Sequence, residues 1–129
     1  MKRTILALLF SLSMLLISCG PPRHDSQLLN DPAALQESIR TDLLSLRGSV
    51  DTYFHRYADL PWHLPDLRDT PDQQTLLEAI PTDPWRVPYL LRRIGDDIIL
   101  SSTGPDLLVG TDDDVELRVS YVGVTPKGQ

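Results

Sequence analysis

Residues 101–115 read SSTGPDLLVGTDDDV. From Asp106 to Asp114 the chain sets four carboxylates, Asp106, Asp112, Asp113 and Asp114, with no lysine or arginine among them. Like charges a few ångströms apart cost on the order of 1 kcal/mol per pair even in water. Three outcomes are open to such a loop. It can stay solvated, it can pair with Arg92, Arg93 or Arg118 from neighbouring segments, or it can wrap a cation. A hard divalent ion removes the repulsion, and ligation by aspartate and backbone carbonyl oxygens alone suits calcium. Gly104 and Gly110 let such a loop fold its carbonyls inward. The order of an EF-hand, with alternate acids, glycine at the sixth place and glutamate at the twelfth, is not met. Spacing alone sets one calcium ion against a plain solvated acidic turn.

Other chemistry is sparse. His24, His55 and His63 have no Cys, Glu or second His at metal-ligating spacing, and no HExxH occurs. Ser102, His55 and an aspartate could be drawn as a triad, but no GxSxG elbow supports one. The stretch GPDLLVG lacks the lysine that meets a phosphate. No enzymatic activity is expected. Asp83-Pro84-Trp85 reads as a turn whose ring packs on a helix, and Trp62 as a lid on the core.

The front of the chain carries a different signal. Met1-Lys2-Arg3 precedes an uncharged apolar run from Ile5 to Ile17, which leads into LLISCG at residues 15–20. That is the pattern of a secretory signal over residues 1–18, too short for a span of about twenty apolar residues. Leu16-Ile17-Ser18-Cys19 resembles the bacterial lipobox, in which the cysteine is acylated and becomes the first mature residue. Cys19 is the sole cysteine, so no disulfide can form within one chain and lipidation accounts for it. Membrane attachment through a lipid anchor at Cys19 follows, with more than one acyl chain giving durable anchoring. Removing 18 of the 129 residues leaves 111, enough for one domain with a modest core. The whole chain has net charge −6, and loss of Lys2 and Arg3 with no acid takes it to −8. That excess repels nucleic acid, which is excluded as a partner.

Residues 19–30 read as a lipidated tether with two prolines and no periodicity. A single globular domain is expected over 31–122, with a fraying tail at 123–129. Asp31 can cap a helix with Pro32 at its first position. Leu35, Ile39, Leu43, Leu46, Val50, Tyr53 and Tyr57 then form one apolar stripe at spacings of three and four, broken at Pro61, while Gly48 weakens the middle and allows a bend. A short second helix is expected over 70–80. Residues 87–94 and 96–102 flank a turn at Gly95-Asp96 and predict a hairpin, and VELRVSYV at 115–122 alternates as a strand. The expectation is an α+β fold, one long helix on an antiparallel sheet of about three strands.

From about Ala34 to Val115 the chain resembles the globular part of the major pseudopilin of type II secretion systems. That family has a helix followed by YP, then P-x-DPWG-x-PY, then S-x-G-x-DG-x-x-GT-x-DD-I. The matching stretches here are Leu60-Pro61, PTDPWRVPY at 81–89 and STGPDLLVGTDDDV at 102–115. The resemblance implies a pilin-like fold and one bound calcium ion that keeps the loop folded. It implies Asp106, Asp113 and Asp114 as side-chain ligands, with backbone oxygens near Ser102 and Val109 completing the shell. Asp112 falls where an outward-facing acid is usual. Leu107 and Arg86 stand where the family has glycine, and Leu107 at a position that favours positive φ. The family's leader and long apolar helix are replaced by the lipoprotein-type signal and tether. Hence the expectation is a lipid-anchored, calcium-stabilised envelope protein with a structural or binding role beside secretion-system or pilus proteins. The alternatives are a stand-alone lipoprotein that binds another protein or a glycan, and more remotely a hydrolase. Gly20 after Cys19, in place of aspartate, points to the outer membrane on its periplasmic side.

Overall fold

The structure is a computed structural model that describes residues 31–125. The signal at 1–18, Cys19 with the tether, and the last four residues of the tail lie outside the described residues.

Helix α1 runs Pro32–Tyr57. It starts as its sequence dictates, with the Asp31 carboxylate accepting the Ala33 N–H at 3.0 Å and Pro32 supplying a first residue that needs no partner. It stops where Ala58 turns left-handed at φ 54° and donates its N–H to the Phe54 carbonyl. The buried face is Ile39, Leu43, Leu46, Val50 and Phe54. The expected stripe holds as far as Val50. In the last turn Phe54 takes the core position, while Tyr53 and Tyr57 are half-buried with ring centroids 4.7 Å apart. Gly48 lies on the exposed face, and the helix is continuous through it. Among the described residues no helix is long and apolar enough to cross a membrane.

The segment after α1 departs from expectation in two places. Residues 70–80 are not helical; the short helix is α2, Pro65–Arg68. Side chains compete with a helical backbone here. The Asp72 carboxylate accepts the Gln74 N–H at 3.1 Å and the Thr70 hydroxyl at 3.0 Å. That hydroxyl also lies 2.9 Å from the Gln74 carbonyl, and Gln73 sits at φ 60°. Trp62 is not a lid on the core. The residue is 59 % exposed, and its ring centroid lies 4.6 Å from the Arg93 guanidinium, a cation–π contact at the surface. Arg93 meanwhile donates to the Leu60 carbonyl at 2.6 Å and to Asp59 at 3.0 Å.

The sheet has three antiparallel strands in the order β1 (Leu90–Ile94), β2 (Asp97–Ser102) and β3 (Val115–Ser120). The first hairpin turns at Gly95, which adopts φ 62°. β1 begins three residues later than the sequence suggested. Residues 82–88 form a closed loop instead, with a Thr82–Pro88 bridge and the Asp83 N–H on the Val87 carbonyl at 2.8 Å. On the helix side Leu91, Ile98 and Leu100 join the core, with Val115, Leu117 and Val119 packed against it. On the other side Ile99 pairs in register with Arg92 and Arg118. It is buried between charged neighbours, Arg92 bonding Glu116 at 2.6 Å and Arg118 bonding Asp97 at 2.6 Å. That face is finished for water.

Tyrosine–aspartate bonds join the layers. Tyr89 donates to Asp42 at 2.7 Å, Tyr121 donates to Asp51, and Tyr57 donates to Asp72. Burial, then the neighbouring carboxylate, pushes the Tyr89 and Tyr121 hydroxyls above the ordinary phenol value.

Candidate functional site

The acidic loop spans 103–114, between β2 and β3. Its base is built from a residue far off in sequence. Asp83 is 4 % exposed, and its Oδ1 accepts the N–H groups of Trp85 and Val87 at 3.0 and 2.9 Å. Its Oδ2 accepts the Ser102 hydroxyl at 2.7 Å, and Ser102 Oγ accepts the Gly104 N–H at 3.3 Å. The proline loop thus fixes the point at which β2 passes into the acidic loop. Trp85, half-buried, packs against the core as its turn implied.

From that base the loop folds back on itself. Gly104 adopts φ 64°, and a Cβ there would lie 2.5 Å from the Asp113 carbonyl oxygen and 2.7 Å from Asp113 Oδ2. Only glycine permits that approach. Asp113 holds the loop across its width, with Oδ1 accepting the Thr111 hydroxyl at 2.6 Å and Oδ2 accepting the Asp106 N–H at 3.2 Å. The Thr111 hydroxyl, ahead of the backbone N–H groups, holds the Asp113 carboxyl below the usual carboxylate value. Asp114 Oδ2 accepts the Gly110 N–H at 2.7 Å, and Asp106 Oδ1 accepts the Leu108 N–H at 2.8 Å. Each expected side-chain ligand therefore lies in one folded loop and binds it internally.

The other expected positions fall as follows. Ser102 is buried at the end of β2, Val109 is exposed at the loop tip, and Asp112 is exposed. Leu107 adopts φ 61° and Arg86 φ 66°, so both residues that stand in place of glycine occupy left-handed backbone. Arginine pairing, one of the three outcomes open to this loop, is not what occurs. Among the described residues Arg92, Arg93 and Arg118 pair with Glu116, Asp59 and Asp97, and none of the four loop aspartates is ion-paired. The donor set suits a hard cation, being oxygen throughout, and the buried Thr103 hydroxyl beside Gly104 has no hydrogen-bond partner among the described residues. Among the described residues no three carboxylate, imidazole or thiol groups already converge as a metal cage.

The sequence reading did not find the Asp83–Ser102 bond or the tyrosine–aspartate bonds. For Asp83 the signal was present in DPW, a motif that names the turn but not its distant partner. The Ser102 hydroxyl that a triad would have needed is occupied by that bond.

No family model matches the chain, and no curated protein matches it. Among solved structures it is similar to the major pseudopilin from the type 2 secretion system of enterohaemorrhagic Escherichia coli, with a TM-score of 0.61 and 27 % identity over 67 % of this chain and 89 % of that one. The long helix on a three-stranded antiparallel sheet is a pilin-like α+β fold.

Proposed function

We propose that this chain is a lipid-anchored, calcium-stabilised, pseudopilin-like protein of the cell envelope, with a structural or binding role beside a type II secretion or related pilus machine. The observation that carries the reading is the acidic loop itself. Four aspartates with no ionic partner among the described residues sit on a loop folded over Gly104, in a domain similar to a major pseudopilin. Asp106, Asp113 and Asp114 hold one calcium ion, with backbone oxygens near Ser102 and Val109. Bound there, the ion neutralises the cluster and locks the connection between β2 and β3. Acylation of Cys19 holds the domain to the outer membrane on its periplasmic side.

Calorimetric titration of the purified protein with calcium tests the metal. Heat of binding and a rise in melting temperature are expected. Asp113→Ala removes both the rise and the sensitivity to chelator, and a variant that matches wild type with and without calcium refutes the site. Crosslinking of the lipoprotein in its membrane tests the role. Recovery of pseudopilins or the secretin supports it, and their absence favours a stand-alone envelope lipoprotein.

A further inference from the structure

Among the described residues strand β3 is an edge, paired to β2 alone. Just past its end the Tyr121 N–H donates to the Asp96 carbonyl at 2.8 Å. Backbone groups alternate along a strand, so the odd-numbered residues bond toward β2. Glu116, Arg118 and Ser120 then turn their N–H and C=O groups away from the sheet. Edges of this kind pair with another strand unless something blocks them. This one carries no proline or bulge; its sequence from 115 to 119 is Val-Glu-Leu-Arg-Val, and the charges it sets on the edge, Glu116 and Arg118, are of opposite sign.

That order is self-complementary about its centre. An antiparallel partner in a two-fold pair must place like faces opposite each other, which leaves three central registers. Centring on Glu116 opposes two glutamates, and centring on Arg118 opposes two arginines. Centring on Leu117 opposes Glu116 to the second copy's Arg118 twice over, Val115 to Val119 twice, and Leu117 to itself. The Glu116–Arg118 pairs are then the ones that exchange outward backbone hydrogen bonds, as the alternation requires. On the helix side the same union closes over a groove of about 460 Å³ between α1 and β3, whose lining includes Leu43, Leu44 and Leu117. Leu44 is 56 % exposed there. Glu116 and Arg118 already pair with Arg92 and Asp97 on the same face, but as exposed ion pairs, which are weak and can be shared.

We infer that β3 is a self-association edge, at which two copies of this chain join antiparallel about Leu117 into one continuous six-stranded sheet. The interface is isologous, the same patch meeting itself.

The test uses charge reversal on the full chain, purified from membranes in density-matched detergent and studied by sedimentation equilibrium from micromolar to near-millimolar concentration. Wild type shows a monomer–dimer equilibrium. Glu116→Arg opposes arginine to arginine, and Arg118→Glu opposes glutamate to glutamate, so each weakens self-association by about tenfold or more, two cross-strand pairs being reversed. Mixed together the two variants form a heterodimer, because every reversed pair is then complementary, and that outcome also demonstrates that both are folded. Should either fail to melt cooperatively, Glu116→Gln and Arg118→Gln replace them, each weakening the dimer several-fold. A wild type that stays monomeric throughout, variants that dimerise as strongly as wild type, or folded variants that do not pair on mixing each overturn the inference.

Discussion

At the scale of single residues, the loop depends on which positions can bear left-handed backbone. Gly104, Arg86 and Leu107 all adopt positive φ, but for different reasons. Gly104 is closed in, since any Cβ meets the Asp113 carbonyl at 2.5 Å. Arg86 and Leu107 are exposed side chains in turns, where an L-residue costs about 1–2 kcal/mol relative to its favoured conformation. Arg86→Gly and Leu107→Gly are therefore expected to raise stability, each by roughly 0.5–1 kcal/mol after the greater freedom of glycine in the unfolded chain is allowed for. Gly104→Ala is expected to lower it by more than about 2 kcal/mol, since a backbone carbonyl must move. Urea unfolding of the three variants checks the opposed signs. A Gly104→Ala protein as stable as wild type would mean that the loop does not close over that residue.

At the scale of elements, the joint between the proline loop and the end of β2 carries the site. Asp83→Ala removes the acceptor of three hydrogen bonds from a buried position and is expected to cost about 3 kcal/mol. Ser102→Ala should cost about 1–2 kcal/mol. The two losses should not add, with a coupling of about 1 kcal/mol in a double-mutant cycle. Additive losses would show that the bond contributes nothing. The same joint marks the limit of what could be read from residues alone. Helix α1 was legible because its cap, its proline and its apolar period agree on one answer. The hairpin and β3 were legible from a glycine turn and strict alternation. The 70–80 segment was misread because Thr70 and Asp72 bond their own backbone, a local competition that a propensity reading undervalues. Asp83 was placed in its turn, but its partner lies 19 residues away, and no local pattern encodes a contact at that distance. The loop's four aspartates were obvious. Their internal bonding to Leu108, Gly110 and Thr111 depends on a backbone path set by Gly104.

At the scale of the whole molecule, carboxylates govern stability on the acid side. The Asp113, Asp97 and Asp72 carboxyls are all held below the ordinary value of 3.8, first by the hydroxyls of Thr111, Ser120 and Tyr57 respectively. A depressed folded value adds stability that is complete above the unfolded value and lost as pH falls through the folded one. Stability is thus expected to be level from about pH 5 to 7 and to fall below about pH 4. Tyr89 and Tyr121 act in the opposite sense. Their raised folded values stabilise fully below the ordinary phenol value of 10.0 and less as pH climbs past it. Chemical denaturation midpoints across pH check both limbs, and Asp97→Asn should flatten the acid one.

The domain also has two ends. Pro32 and Leu35, at the start of α1, border the same groove as Asp112, Asp113 and Asp114, whereas Ala58, at its finish, lies by Arg93 and Asp96 at the hairpin turn. A helix of 26 residues separates these poles by about 39 Å. Two copies joined antiparallel along β3 would point their aspartate poles in opposite directions within the plane of the sheet. The two-fold axis of that pair stands perpendicular to the joined sheet, so both helices lie on the same face of it and begin at the same height along the axis.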